Sequence, residues 1–210
     1  MNKTKNIINF YMLANRLKEK LRTSWIDIEI EKERLESVAE HIFGTLILAI
    51  AIDSEYELEL DMYKVLKMLA LHELEEILMP DYSARANITR DEKIKQGKES
   101  VHKVTKDLFK QNEIEELLDE FNSRETKESI FSYHIDKIEC DFQAKIYDLQ
   151  GVIAFDKIKE DLAFYGNRAN KIEELSKNPS DIWIEYDRPI YDDDLIFKEL
   201  IEKIKSIKEI

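Results

Sequence analysis

Three stretches of this 210-residue chain carry side chains suited to holding a metal ion, and they lie far apart in the sequence. The first is His72-Glu73-Leu74-Glu75-Glu76, near the end of a predicted helix. A helix turns about 100° per residue, so His72 and Glu76 share a face one turn apart with Glu73 beside them. Two ligands and a further acid can converge there. This is not the zinc-protease motif, which needs a second histidine four residues after the first, where this chain has Glu76. A ferritin-type di-iron site needs two Glu-x-x-His pairs, and the chain has one, Glu99 to His102. His41 sits one turn into a second predicted helix and is followed by the apolar run Leu46 to Ile52, so it faces the core or its rim. Taken alone, it reads as a satisfied core histidine. Asp136 borders the stripe formed by Ile135, Ile138, Phe142 and Ile146, where a carboxylate is costly without a partner. A metal is one such partner. Lys137 and Glu139 read as its solvated neighbours, and Cys140 as a small buried hydrophobe.

Helices must position these groups. Ile8, Tyr11, Met12, Ala14 and Leu17 predict a helix over Ile7 to Leu21, followed by a loop through Arg22-Thr23-Ser24-Trp25. Ile26-Asp27-Ile28-Glu29-Ile30 alternates with period two, the pattern of a short strand or an extended connector. Ser37-Val38-Ala39-Glu40 has capping-box spacing and starts a helix to about Asp53. Asp61 is the predicted N-cap of a helix to Leu78, stopped by Pro80, and Thr89-Arg90-Asp91-Glu92 offers a second capping box for a helix to about Lys110. Helices follow over about Ile114 to Phe121 and Glu125 to Gln150. Beyond Gly151 the pattern predicts helical pieces to about Leu162 and from Asn170 to Lys177, then a break at Asn178-Pro179-Ser180. An aromatic loop holding Trp183, Tyr186 and Pro189 comes next, and a helix from Leu195 to Ile207 capped by the preceding aspartates closes the chain.

Composition agrees with this reading. The chain has 4 glycines and 3 prolines, where average usage would give roughly fifteen and ten. Long helices joined by few tight turns follow, and an all-β sandwich or barrel is excluded. The expected fold is all-α: a single-domain helical bundle over residues 1–160, with a helical C-terminal extension over 161–210 packing on it. A single cysteine and the lack of a signal-type apolar segment point to the cytoplasm. No run approaches the roughly 18 apolar residues that cross a bilayer. Acids exceed bases by 45 to 32, giving a net charge of −13, which excludes a nucleic-acid polymer as partner. A small anion can still bind, provided a metal or a placed arginine reverses the field locally.

Ser37-Val38-Ala39-Glu40-His41, then His72-Glu73 with Glu76, then Asp136-Lys137-Ile138-Glu139 resemble the ordered H…HD…D signature of HD-domain metal-dependent phosphohydrolases. Arg22-Thr23-Ser24-Trp25 is similar to the segment that precedes the first motif in the 5′-deoxynucleotidase branch. The resemblance covers roughly residues 10 to 150, and it departs from the family at Glu73, where the name implies Asp. It implies that His41, His72, Glu73 and Asp136 are metal ligands. It further implies that Glu76 and Asp81 assist the attacking water, and that Arg22 and Trp25 contact the nucleotide. On the residues alone, Arg22 reads rather as a surface arginine in an ion pair and Trp25 as a core tryptophan. Two histidines and two carboxylates suit Mn, Fe, Co, Ni or Zn better than Mg. The implied activity is release of phosphate from small nucleotides, (deoxy)nucleoside 5′-monophosphates, with a non-enzymatic metal- or nucleotide-binding module as the alternative. The resemblance also implies a homodimer, for which the face of Leu195, Ile196, Leu200, Ile201 and Ile204 is one candidate surface.

Overall fold

A computed structural model of the protein describes residues 2–83, 86–160 and 162–209. Residues 84 and 85 of the expected loop after Pro80, and residue 161 at the expected domain boundary, lie outside the described residues. The fold is all-α. Its helices are α1 (Lys3–Ala14), α2 (Thr23–Asp27), α3 (Val38–Tyr56), α4 (Met62–Leu71), α5 (Arg90–Thr105), α6 (Gln111–Ser123), α7 (Lys127–Leu149), α8 (Phe155–Glu160), α9 (Ala169–Leu175), α10 (Asp181–Asp187) and α11 (Leu195–Ser206). Tight 3₁₀ turns cover Asn15–Lys18, Leu74–Ile77, Leu162–Arg168 and Arg188–Tyr191. Among the described residues there is no strand, only an isolated bridge between Leu21 and Ser37. The chain divides into two compact units, Met1–Ser24 with Glu36–Tyr133, and Trp25–Leu35 with His134–Ile210.

In the first unit, local capping sets where helices start. Glu40 N–H donates to Ser37 Oγ at 3.3 Å, and Ser37 N–H donates to the Glu40 carboxylate at 2.9 Å, so the capping box opens α3 as predicted. Thr89 and Glu92 repeat the device at α5, and Asp61 caps α4 through Lys64 N–H. The bridge at Leu21 is reinforced on both sides, by Arg22 N–H to Glu36 O at 3.0 Å and Val38 N–H to Lys20 O at 2.7 Å. It ties the segment before α2 to the start of α3. Lys20 Nζ reaches across to the carbonyls of Glu76 and Met79 and clamps the 3₁₀ turn that follows α4. That turn departs from the predicted helix to Leu78: α4 ends at Leu71, and Glu73 sits at φ −102°, ψ 15° outside the helical ladder. Leu17, Val38, Leu74, Ile77, Val101 and Leu118 form the core beneath it. The face of α3 that carries Val38, His41, Thr45, Ala49 and Ile52 is buried.

The second unit corrects two expectations. The alternating stretch at 26–30 is neither strand nor simple connector, because α2 runs to Asp27 and Glu29 then turns the chain at φ 53°. Both Ile28 and Ile30 enter the core with Trp25, Tyr147, Ile172 and Ile182. The expected aromatic loop is the helix α10, whose Asp181, Ile182, Ile184, Glu185 and Asp187 are all buried. A helix covered on nearly every side shows no amphipathic period. On α11, Ile201 and Ile204 of the face considered for a homodimer are buried within this unit beside Phe197, whereas Leu195 is exposed. Glu139 is buried instead of solvated, and Cys140 is half-buried. Asp141 is fully buried and accepts from the Tyr191 hydroxyl at 3.1 Å. Burial first, and then the neighbouring Asp187, push the Asp141 carboxyl well above its ordinary value.

Two stability measurements follow. Removing the cap by Ser37→Ala costs about 1 kcal/mol in urea unfolding, and no change would disconnect the box from α3. A carboxyl whose folded pKa lies above its unfolded one contributes stability that is complete at acid pH and lost as pH rises. Asp141 therefore makes stability fall above about pH 4. Asp141→Asn keeps an acceptor for Tyr191, flattens that fall, and leaves the variant more stable relative to wild type at pH 8 than at pH 5. Parallel pH profiles would contradict the assignment.

Candidate metal centre

His41 enters from the buried face of α3 and His72 from the C-terminal end of α4, and both are buried. His72 Nδ1 lies 2.7 Å from the Leu69 carbonyl. A carbonyl only accepts, so Nδ1 is the donor there, and Nε2 is the ring nitrogen turned toward His41. This orienting bond is the kind that ligating histidines use. His72 Nε2 stands 3.2 Å from His41 Nε2, and Glu73 Oε1 stands 3.7 Å from each of them. Donors about 2.1 Å from a shared ion are separated by about 3.0 Å in an octahedral set and about 3.4 Å in a tetrahedral one. The three atoms thus form a triangle of nearly the size a divalent transition metal requires, with the nitrogen-rich donor set it prefers. The longer glutamate, standing where the family motif has aspartate, still brings an oxygen into that triangle.

The same oxygen also serves an arginine. Arg22 Nη1 donates to Glu73 Oε1 at 2.7 Å and lies 3.7 Å from Asp81 Oδ1, and Thr23 N–H donates to Asp81 Oδ2 at 2.7 Å. Arg22, Glu73, Glu76 and Asp81 are all less than a tenth exposed. No donor among the described residues reaches either oxygen of Glu76. Burial, then the charges of Glu73 and Asp81, push the Glu76 carboxyl up to about 11, with Arg22 opposing. On the other side of the turn, burial followed by the charge of Glu73 raises Glu75 to about 7. Negative charge is in excess here, and it is buried. Such a set demands a further positive charge or protons.

Of the side chains singled out in the sequence, the first unit brings together His41, His72, Glu73, Arg22 and Asp81, with Glu76 next to them. Asp136 lies on α7 in the second unit, where it is buried and its Oδ2 is 2.9 Å from Lys137 Nζ. Trp25 does not offer the open face expected for a base or sugar. It is fully buried in the core of the second unit, edge-on to Tyr147 at 5.3 Å and tilted against Trp183 at 5.6 Å. His102 is an exposed helix residue bonded to Glu115 and Gln111. Sequence reasoning missed Lys20, Thr23 and Ser100, which brace the site through backbone contacts and carry no local signature.

Comparison with known proteins matches this arrangement. The family model described as HD domain matches residues 14–179. The chain is 28% identical over 180 residues to the 5′-deoxynucleotidase HDDC2 of Dictyostelium discoideum, covering 82% of this chain and 94% of that protein. It is 30% identical over 152 residues to the 5′-deoxynucleotidase hdd1 of Schizosaccharomyces pombe, covering 70% and 74%. Among solved structures it resembles the PH0347 protein of Pyrococcus horikoshii, with a TM-score of 0.62 at 23% identity over 94% of this chain and 97% of that one. The predicted metal-dependent phosphohydrolase from Magnetospirillum magnetotacticum gives a TM-score of 0.58 at 16% identity over 93% and 94%, a likeness of fold. With most of its length matched and its paired histidines and acidic partner assembled in space, the chain belongs to the HD domain family of metal-dependent phosphohydrolases.

Proposed function

We propose that the protein removes the phosphate of small nucleotides, specifically (deoxy)nucleoside 5′-monophosphates. The observation that carries this reading is the placement of Arg22 and two buried imidazoles on one carboxylate oxygen, Glu73 Oε1. A phosphate ester needs that pairing in a chain of net charge −13, because one group must supply Lewis acidity and another must bind the anion. The relatives named 5′-deoxynucleotidases support the substrate class.

In this reading His41, His72, Glu73 and Asp136 hold a divalent transition metal, Mn, Fe, Co, Ni or Zn in preference to Mg. Asp136 is assigned by its place in the ordered motif and by its burial on α7. Bound there, the metal would lower the pKa of a water toward 7 and draw charge from a phosphoryl oxygen. Arg22 presents a planar fork to two phosphate oxygens. In the same reading Asp81, which accepts the Thr23 N–H and stands beside Arg22, receives the proton of the attacking water. Glu76, whose surroundings favour its neutral form, is assigned to give a proton to the leaving sugar oxygen. Trp25 acts by anchoring the segment after Arg22 in the core, not by stacking on the base. The single cysteine fits a reducing compartment, the cytoplasm.

Release of inorganic phosphate from a panel of ribo- and deoxyribonucleoside mono-, di- and triphosphates with Mn²⁺, Co²⁺, Ni²⁺ or Mg²⁺ tests the proposal. Turnover is expected on 5′-monophosphates, highest with the transition metals and abolished by a chelator. His72→Ala should lower it by about a thousandfold or more. Equal phosphate release by the wild type and His72→Ala on every substrate would remove the enzymatic reading.

A further inference from the structure

Glu73 Oε1 has two claims on it. It is the oxygen that completes the triangle with His41 Nε2 and His72 Nε2, at 3.7 Å from each, and it is also the acceptor of Arg22 Nη1 at 2.7 Å. An ion bonded to that oxygen at about 2.1 Å would lie within about 5 Å of the guanidinium nitrogen hydrogen-bonded to it. Both are positive, and the pair is buried, with Arg22 and Glu73 each 8% exposed, so solvent screens their repulsion poorly. An ion also draws electron density from the oxygen and weakens it as an acceptor. The arginine has somewhere to go. Asp81 Oδ1 is 3.7 Å from the same Nη1, and Asp81 is itself held by the Thr23 N–H. The backbone of Arg22 is pinned by its N–H to Glu36 O at 3.0 Å, so a swing of the side chain alone makes the exchange.

We propose that Arg22 and the divalent ion compete for Glu73 Oε1, so that loading of the ion switches the guanidinium from the metal ligand to Asp81 and the incoming phosphate. The idea rests on the reading that His41, His72 and Glu73 hold the ion, and it adds a rule of order to that reading. The arginine serves as a resident counter-cation for Glu73 in the metal-free protein. It becomes available to the phosphate once the ion takes over that task, so ion and phosphate bind in sequence. By linkage, each strengthens the other's binding, over and above any direct bond between them.

The competition has an opposite sign from the usual supporting role. A residue that merely orients a metal ligand lowers metal affinity when it is removed. A competitor raises it. Zn²⁺ affinity of the full-length protein, measured by competition with a chromogenic chelator in the absence of any phosphate, separates the two. Arg22→Met keeps the apolar stem without the charge, and it should bind Zn²⁺ at least about tenfold more tightly than wild type. An affinity unchanged or weaker overturns the competition while leaving the metal site standing. No Zn²⁺ binding by the wild type overturns both. Should Arg22→Met fail to fold, the zinc-loaded wild-type crystal structure decides instead. Arg22 Nη1 is expected more than about 3.5 Å from Glu73 Oε1 and in hydrogen-bond range of Asp81, and retention of the short contact to Glu73 contradicts the switch.

Discussion

Buried negative charge is the constraint on which the site depends. Glu73, Glu76 and Asp81 are all buried around the guanidinium of Arg22, within a chain that is strongly acidic overall. A carboxylate taken out of water without compensation is expensive, and three around one arginine leave charge unbalanced. Glu76 shows the consequence, being driven toward its neutral form. The Nε2 atoms of His41 and His72 meet at the edge of this group. An arrangement that combines excess anion with converging imidazole nitrogens is wasteful as a structural core but well matched to a divalent cation.

The fold holds this group in place by backbone means. The bridge at Leu21 and Ser37 fixes the segment carrying Lys20, Arg22 and Thr23 against the start of α3, one turn before His41. Lys20 then clamps the 3₁₀ turn that presents Glu73 and Glu76. One short stretch of chain therefore sets the relative positions of the helix bearing His41, the turn bearing the acids, and the arginine. The second unit meets a similar burden differently. Asp141 and Asp187 are buried there, and both are pushed upward by burial, so protonation is the natural relief. Retaining a proton suits a structural role, whereas capturing a cation suits a chemical one.

Much of this was legible in the sequence wherever the physics is local. The caps at Ser37, Asp61 and Thr89 were readable because a side chain and a backbone N–H three residues apart settle them. The pairing of His41 with His72 came from motif order, since no local rule brings residues 31 apart together. What the sequence concealed was tertiary. The alternating isoleucines after Trp25 looked like a strand because a short helix followed by a left-handed turn can also place Ile28 and Ile30 inside. The segment around Trp183 looked like a loop because a helix buried on both sides has no polar face to mark its period. The contact between Arg22 and Glu73 joins residues 51 apart and had no signature at all.

The central claim is that a divalent cation balances the buried acids at His41, His72 and Glu73. Anomalous diffraction from crystals of the zinc-loaded protein, collected on either side of the zinc absorption edge, tests it most directly. A peak bonded to the Nε2 atoms of His41 and His72 and to a carboxylate oxygen of Glu73 is the expected result. No peak among those three side chains at saturating zinc would contradict it.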